Sequence, residues 1–238
     1  MNPMVIAGAG QCGARTAHAL RENGWTGGIV LLGDEGIAPY ERPPLSKAVL
    51  LGQKSVAQCG IFDDAFFAAQ HIELHVDAPV ARIDRMQRRV VLGDGACIAY
   101  ERLLLATGAE PRKLDVPGST LRGVHVLRNV PDALAIAGAL DTGRRIAVIG
   151  AGFIGLEVAA TAVARGCHVT VLEAAPRALM RAVPEVVAQA LIARHGRMGV
   201  DVRVNAQVAR IEGRRDAGLA IDNGIAVDAT LRTSDPYI

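Results

Sequence analysis

Two glycine clusters and the acids that follow them carry the most legible chemistry in this chain. Gly8-Ala9-Gly10-Gln11-Cys12-Gly13 follows the apolar run Met4–Ala7, and Gly150-Ala151-Gly152-Phe153-Ile154-Gly155 follows Arg145–Ile149. In a G-x-G-x-x-G turn the first glycine makes the tight turn and the second lets a pyrophosphate approach the backbone. The third lets the helix pack close to the strand, while the helix N-terminus supplies N–H groups and partial positive charge. A carboxylate at the end of the next strand accepts hydrogen bonds from a ribose diol. Asp34 and Glu35 arrive 26 and 27 residues after Gly8, and Glu173 arrives 23 residues after Gly150. One such cluster is a weak signal, but two, each with an acid behind it, indicate two dinucleotide sites. Two dinucleotides in one chain indicate a flavin that takes hydride from a nicotinamide. Glu173 favours a free 2′-hydroxyl over a 2′-phosphate, so NADH is expected over NADPH, although Arg177 and Arg181 lie close downstream.

The elements that must position these residues follow from periodicity. Met4–Ala7, a glycine turn, an Ala-rich helix to about Gly24 and Ile29–Leu32 read as strand, helix, strand; Arg145–Ile149, the second turn, another Ala-rich helix and His168–Leu172 repeat the pattern 142 residues later. Between them, Phe62 to His71 reads as a helix. The alternating runs Ile72–Val76 and Arg89–Leu92, with a Gly93-Asp94-Gly95 turn, fit a small antiparallel layer. The fold class is therefore α/β, with two Rossmann-like dinucleotide-binding units. We expect residues 1–110 to form a flavin-binding unit with the antiparallel layer, 111–143 to connect back to it, 144–216 to form an incomplete nicotinamide unit, and 217–238 to begin a return to the flavin unit. No low-complexity linker separates them, so the second unit is expected to be inserted into, or stacked against, the first.

Composition narrows the classes. Half of the 238 residues are hydrophobic, enough for a sizeable core. With 26 basic and 24 acidic residues and no Lys/Arg run, nothing suggests nucleic acid. The four cysteines, Cys12, Cys59, Cys97 and Cys167, form no close pair, which argues against a zinc site and against thiol–disulfide chemistry at the flavin. Buried free thiols in a reducing cytoplasm are expected, with no export signal and no membrane span. Of the six histidines only His71 and His75 have helical i,i+4 spacing, at a helix-to-strand junction, so no metal is expected.

One further segment is loaded with charge: Tyr40-Glu41-Arg42-Pro43-Pro44-Leu45-Ser46-Lys47. Consecutive prolines exclude a helix interior and a central strand, so it is a rigid turn. Taken with Gly8–Gly13, Gly33-Asp34-Glu35, Leu105-Ala106-Thr107-Gly108 and Gly150–Gly155 with Glu157, it resembles the FAD-dependent, NADH-oxidising ferredoxin reductases of Rieske-type aromatic-ring dioxygenase systems, putidaredoxin reductase-like in pattern. The resemblance runs from Val5 to Ile238, and Pro-Pro-Leu-Ser-Lys is its most specific part. Gly150–Ala160 and Arg194-His195 are most similar to the 3-phenylpropionate/cinnamate and biphenyl system reductases.

The resemblance implies roles that the residues alone do not settle. Arg42 to Lys47 would lie beside the flavin, with Pro44 shaping the wall and Lys47 near the isoalloxazine ring. Glu157 would pair with Lys47 from the nicotinamide side; a helix-capping lysine and a solvated first-turn glutamate are the plainer readings. Cys12, Asp34, Lys47, Val80 and Arg128 would contact FAD, with Asp34 on the ribose and Glu35 either a substitute or an exposed neighbour. Arg128 would sit near the diphosphate, or is simply a surface arginine. Thr107-Gly108 would mark the handover between flavin and nicotinamide domains, or a plain turn. Electrons would leave singly to a small [2Fe-2S] ferredoxin of a Rieske dioxygenase system; a related FAD/NAD(P) reductase of rubredoxin or nitrite-reductase type shares everything visible here except the acceptor.

The chain also departs from the pattern. Ile211-Glu212-Gly213 passes almost directly to Ala217-Gly218-Leu219, where the family has several tens of residues, and the sequence stops at Ile238 before the positions of the family's Gly-Asp motif and C-terminal interface domain, so an internally deleted and truncated chain without that domain is expected. Losing the carboxylate that holds the ribityl chain removes charge-assisted hydrogen bonds worth about 1.5–3 kcal/mol each. A catalytically incompetent dinucleotide-binding remnant is therefore carried as an alternative.

Overall fold

A computed structural model describes residues 2–212. The chain folds into two compact units: Met1–Arg42 with Ser55–Glu110, and Pro43–Lys54 with the chain from Pro111 onward.

In the first unit, β1 (Met4–Ala7) and β2 (Ile29–Leu32) are continuous apolar runs bounded by glycine, as strands buried on both faces require. With β3 (Ile72–His75) and β7 (Arg102–Leu105) they form a parallel sheet in the order β3-β2-β1-β7. Alternation sorts their side chains. Ile6, Ile29, Leu31 and Ile72 meet Ala14 and Ala17 of α1 (Gln11–Glu22) and Phe67 of α2 (Asp64–Ala69) on one face. Val5, Val30 and Leu32 meet Ala78, Val90 and Tyr100 on the other. That second face is covered by β4 (Val80–Asp84), β5 (Arg89–Leu92) and β6 (Cys97–Ala99), an antiparallel sheet in the order β4-β5-β6.

Two expected elements differ. Ile72–His75 belongs to the parallel sheet and not to the antiparallel layer, because Ile72 and Leu74 pack on the helix side beside β2. The helix expected over 62–71 is shortened to Asp64–Ala69. The Asp63 carboxylate caps it by accepting from Phe66 N at 2.8 Å, and His71 takes a positive φ of 49° at its exit.

Arg21 closes this unit. Its guanidinium donates to the carbonyls of Gln70 (2.7 Å), His71 (2.7 Å), Trp25 (2.7 Å) and Gly27 (2.8 Å), joining the ends of α1 and α2 to the turn before β2. Replacing Arg21 by alanine is expected to destabilise the unit by about 3 kcal/mol, since hydrogen bonds to a charged donor are worth about 1.5–3 kcal/mol and add incompletely. A lower urea midpoint with an unchanged slope would report it.

In the second unit, β8 (Arg145–Ile149), β9 (His168–Leu172) and β10 (Val200–Arg203) form a parallel sheet in the order β10-β9-β8. Val169, Val171 and Val200 are buried on one face, together with Leu156, Ala159 and Ala162 of α4 (Phe153–Ala164) and Ala188 of α5 (Glu185–Arg197). A capping box between Asn129 and Asp132, with Pro131 in the first turn, starts α3 (Val130–Ala139). Gly118 leaves room for the segment around Ile211: an added Cβ would lie 1.8 Å from the Ile211 carbonyl oxygen, where Ile211 N donates to Pro117 O at 2.8 Å.

Residues 43–54, expected with the flavin unit, and 111–143, expected to return to it, both group with the second unit. The polar stripe on α4 described below accounts for the first. Residues 213–238, including the segment expected to begin the return, lie outside the described residues.

Candidate dinucleotide-binding sites

The glycines of each turn divide by the space around them. Gly8 has φ +113°, and a Cβ on it would stand 2.2 Å from the Ala106 carbonyl oxygen. A Cβ on Gly13 would stand 1.9 Å from Gly8 O, and one on Gly155 2.0 Å from Gly150 O, while Gly150 itself has φ +102°. These positions exclude side chains for structural reasons. Gly10 and Gly152, the N-cap residues of α1 and α4, have extended backbone and nothing within 4 Å of an added Cβ. Their bareness serves no packing purpose among the described residues, and it leaves each helix N-terminus approachable by a phosphate. The cradle fits a dinucleotide pyrophosphate in both units.

The acids behind the turns are placed differently. Asp34 is exposed just after β2. Glu35 is engaged: the Tyr40 hydroxyl donates to it at 2.5 Å, and Arg42, whose guanidinium also lies 5.3 Å from the Tyr40 ring centroid, forms an ion pair with it. Glu35 and Arg42 thus fix the entry to the proline turn, and Asp34 is the acid turned to solvent. Glu173 accepts from Ala151 N at 2.7 Å and Ala175 N at 2.8 Å, tying the second glycine turn to the end of β9. Phe153 and Ile154, in the first turn of α4, are 53% and 56% exposed.

The remaining candidates of the first unit are Cys12, exposed in the first turn of α1, Val80, half-buried at the start of β4, and Thr107 and Gly108, both exposed beyond β7. Pro44, Lys47 and Arg128 fall in the second unit with the Gly150 turn. Pro44 lies in a 3-10 turn, Pro43–Ser46, and Arg128 N donates to Asp132. Arg181 is exposed.

Lys47 and Glu157 meet. The ammonium is 2.7 Å from Glu157 Oε2, with the two side chains 48% and 31% exposed. Glu157 stands in the second turn of α4, not the first, and is half-buried. Ser46, Thr161 and Arg165, which the sequence reading missed, join them. Ser46 Oγ donates to Glu157 Oε2 at 2.5 Å, Thr161 Oγ1 donates to Ser46 O at 2.9 Å, and Arg165 donates to Leu50 O and Ala137 O, each at 2.9 Å. Glu157, Thr161 and Arg165 are spaced by four on an otherwise apolar helix, a signal that was there to be read.

The thiols give no redox pair. All four cysteines are free, and burial pushes the Cys167 thiol up from its ordinary range, away from reactivity. Among the described residues no group of three or more His, Cys, Asp or Glu could hold a metal, and no helix is long and apolar enough to cross a membrane.

Residues 2–219 match the pyridine nucleotide-disulphide oxidoreductase family. The chain is 42% identical over 229 residues to the ferredoxin–NAD(+) reductase component of the p-cumate 2,3-dioxygenase system of Pseudomonas putida, covering 96% of this chain and 56% of that protein. It is 37% identical to the corresponding component of the biphenyl dioxygenase system of Paraburkholderia xenovorans over 270 positions, covering 100% of this chain and 66% of that protein. In the crystal structure of the covalent putidaredoxin reductase–putidaredoxin complex, one chain superposes with a TM-score of 0.85 at 39% identity, covering 90% of this chain and 52% of that one. The chain therefore spans between about half and two thirds of these proteins' length. It belongs to the pyridine nucleotide-disulphide oxidoreductase family, and within it is similar to the ferredoxin–NAD(+) reductases of aromatic-ring dioxygenase systems.

Proposed function

We propose that this chain carries the two dinucleotide sites of a ferredoxin–NAD(+) reductase, with FAD on the Gly8–Asp34 turn, NADH on the Gly150–Glu173 turn, and a [2Fe-2S] ferredoxin of a Rieske-type dioxygenase system as electron acceptor. The observation that carries the reading is the pairing of Lys47 with Glu157, two residues beyond the second glycine cluster. When bound, FAD takes a hydride from NADH and returns electrons singly.

The chain's own residues would act as follows. Gly10 and Gly152 leave room for the pyrophosphates, and the N–H groups opening α1 and α4 receive them. Asp34 and Glu173 accept from the ribose diols. Lys47 sets a positive charge against the charge that hydride arrival adds, and Glu157 keeps the ammonium aimed. Pro44 stiffens the turn that presents Lys47. Arg42, Val80, Thr107, Gly108 and Arg128 complete the proposed flavin contacts.

NADH over NADPH is supported by the loop after Glu173. Arg177 donates to the carbonyls of Met180 (2.9 Å) and Val183 (3.2 Å), so its guanidinium is committed to the loop. Calorimetric titration is expected to give NADH at least about tenfold tighter binding than NADPH, about 1.4 kcal/mol. Equal affinities would remove Glu173 from the ribose.

One observation favours the remnant as second reading. The biphenyl-system alignment runs over 270 positions, more than this chain's 238 residues, so that relative carries internal segments the chain lacks. Failure to retain FAD through gel filtration, with the fold intact, would select it.

A further inference from the structure

Lys47 is half-exposed, and its position depends on what holds Glu157. Glu157 Oε2 receives both the ammonium and the Ser46 hydroxyl. Ser46 is 4% exposed and Thr161 5%, the two buried polar residues of the described chain. The single Ser46 proton has a second acceptor in Pro43 O at 3.3 Å, and the 2.5 Å contact to the carboxylate is the shorter. One helical turn on, Thr161 Oγ1 donates to the Ser46 carbonyl at 2.9 Å, and one turn further Arg165 donates to Leu50 O. Among the described residues, the other hydrogen-bond contact of Lys47 is to Pro43 O at 3.3 Å.

We infer that Ser46 and Thr161 are positioning residues that hold Glu157 and the 3-10 turn against one face of α4, so that the Lys47 ammonium is presented in one orientation. The inference rests on the reading of Lys47 as the cation acting at the flavin. Hydroxyls that served only to satisfy buried backbone would leave Lys47 unaffected. These two are linked to it in series, Thr161 to Ser46 and Ser46 to Glu157. Glu157 also lies four residues after Phe153, in the helix whose N-terminus forms the nicotinamide turn, so the same helix bears both the pyrophosphate site and the anchor for Lys47.

Lys47 can be followed directly, because Lys54 and Lys113 are the only other lysines. In protein labelled with 13C,15N-lysine, nuclear relaxation at Cε reports side-chain order without reference to any cofactor. Glu157→Gln, Ser46→Ala and Thr161→Val are each expected to lower the order of Lys47 to that of Lys54 and Lys113, while Thr161→Ser, which keeps the hydroxyl, restores it. In the FAD-loaded protein, Ser46→Ala is expected to slow NADH-dependent bleaching about tenfold, leaving the NADH dissociation constant within about twofold. The alanine and valine changes remove little volume, so loss of folding is not expected; a circular dichroism melt verifies it. Ordered Lys47 in Ser46→Ala and Thr161→Val, with release in Glu157→Gln, would overturn the inference and leave the ion pair standing. Release of Lys47 with an unchanged bleaching rate would support the positioning and overturn instead the role assigned to Lys47.

Discussion

Replacing Gly152 by valine is expected to leave the second unit folded and to weaken NADH binding by at least about a hundredfold, roughly 2.7 kcal/mol. Gly152 is the N-cap of α4 with φ −80° and ψ −180°, a conformation open to any residue, and nothing lies within 4 Å of an added Cβ. Loss of a favourable N-cap costs about 1 kcal/mol, which lowers Tm by a few degrees. The space that valine fills is where a pyrophosphate must approach the N–H groups of the first turn, and an anion held farther off loses its charge-assisted hydrogen bonds. Isothermal titration with NADH reads the loss. Unchanged affinity would mean that no pyrophosphate lies on this turn.

The opposite result is expected for Gly8. A change to alanine should destabilise the first unit by more than about 4 kcal/mol, enough to leave it largely unfolded. The φ of +113° disfavours any side chain, and the added carbon would stand 2.2 Å from Ala106 O, 2.4 Å from Ala106 C and 2.8 Å from Thr107 N. All three are backbone atoms. They cannot withdraw without parting β1 from β7, whose register pairs Ala7 with Leu105 and is closed by Ala106 N donating to Ala7 O at 2.7 Å. Loss of the far-ultraviolet dichroism transition, or its shift to much lower temperature, checks this. A Gly8→Ala protein as stable as the wild type would show that β1 and β7 are not so closely apposed.

The contrast between Gly8 and Gly152 explains what was legible in the sequence. Spacing alone identified both turns, because strand, glycine turn and helix follow one another locally and the packing that demands Gly13 and Gly155 lies within five residues of chain. Order among the strands was less visible. Ile72 and Leu74 alternate as they would in either an antiparallel layer or the edge of a parallel sheet, and only their burial beside β2 decides between the two. The residues alone do not say what Glu35 does beside Asp34; its partners Tyr40 and Arg42 are five and seven residues on and reach it only through the turn between them. The grouping of residues 43–54 with the second unit was hidden for a different reason. It depends on a long-range match between a proline turn and the stripe Glu157, Thr161 and Arg165, of which only Glu157 belongs to the family resemblance.

Stability and chemistry meet at Glu173. Its carboxylate fastens the glycine turn through Ala151 N and is also the proposed ribose acceptor, so its removal would weaken both fold and binding. Gly152 separates the two effects, since its change touches binding and leaves the hydrogen bonds of Glu173 in place.

The proposed passage of hydride from NADH to a flavin bound by this chain is tested most directly by the visible spectrum of the purified protein with FAD, before and after anaerobic NADH. The expected result is a set of bound-flavin bands that bleach on addition of NADH. Flavin that elutes free on gel filtration and stays oxidised in the presence of NADH would contradict it.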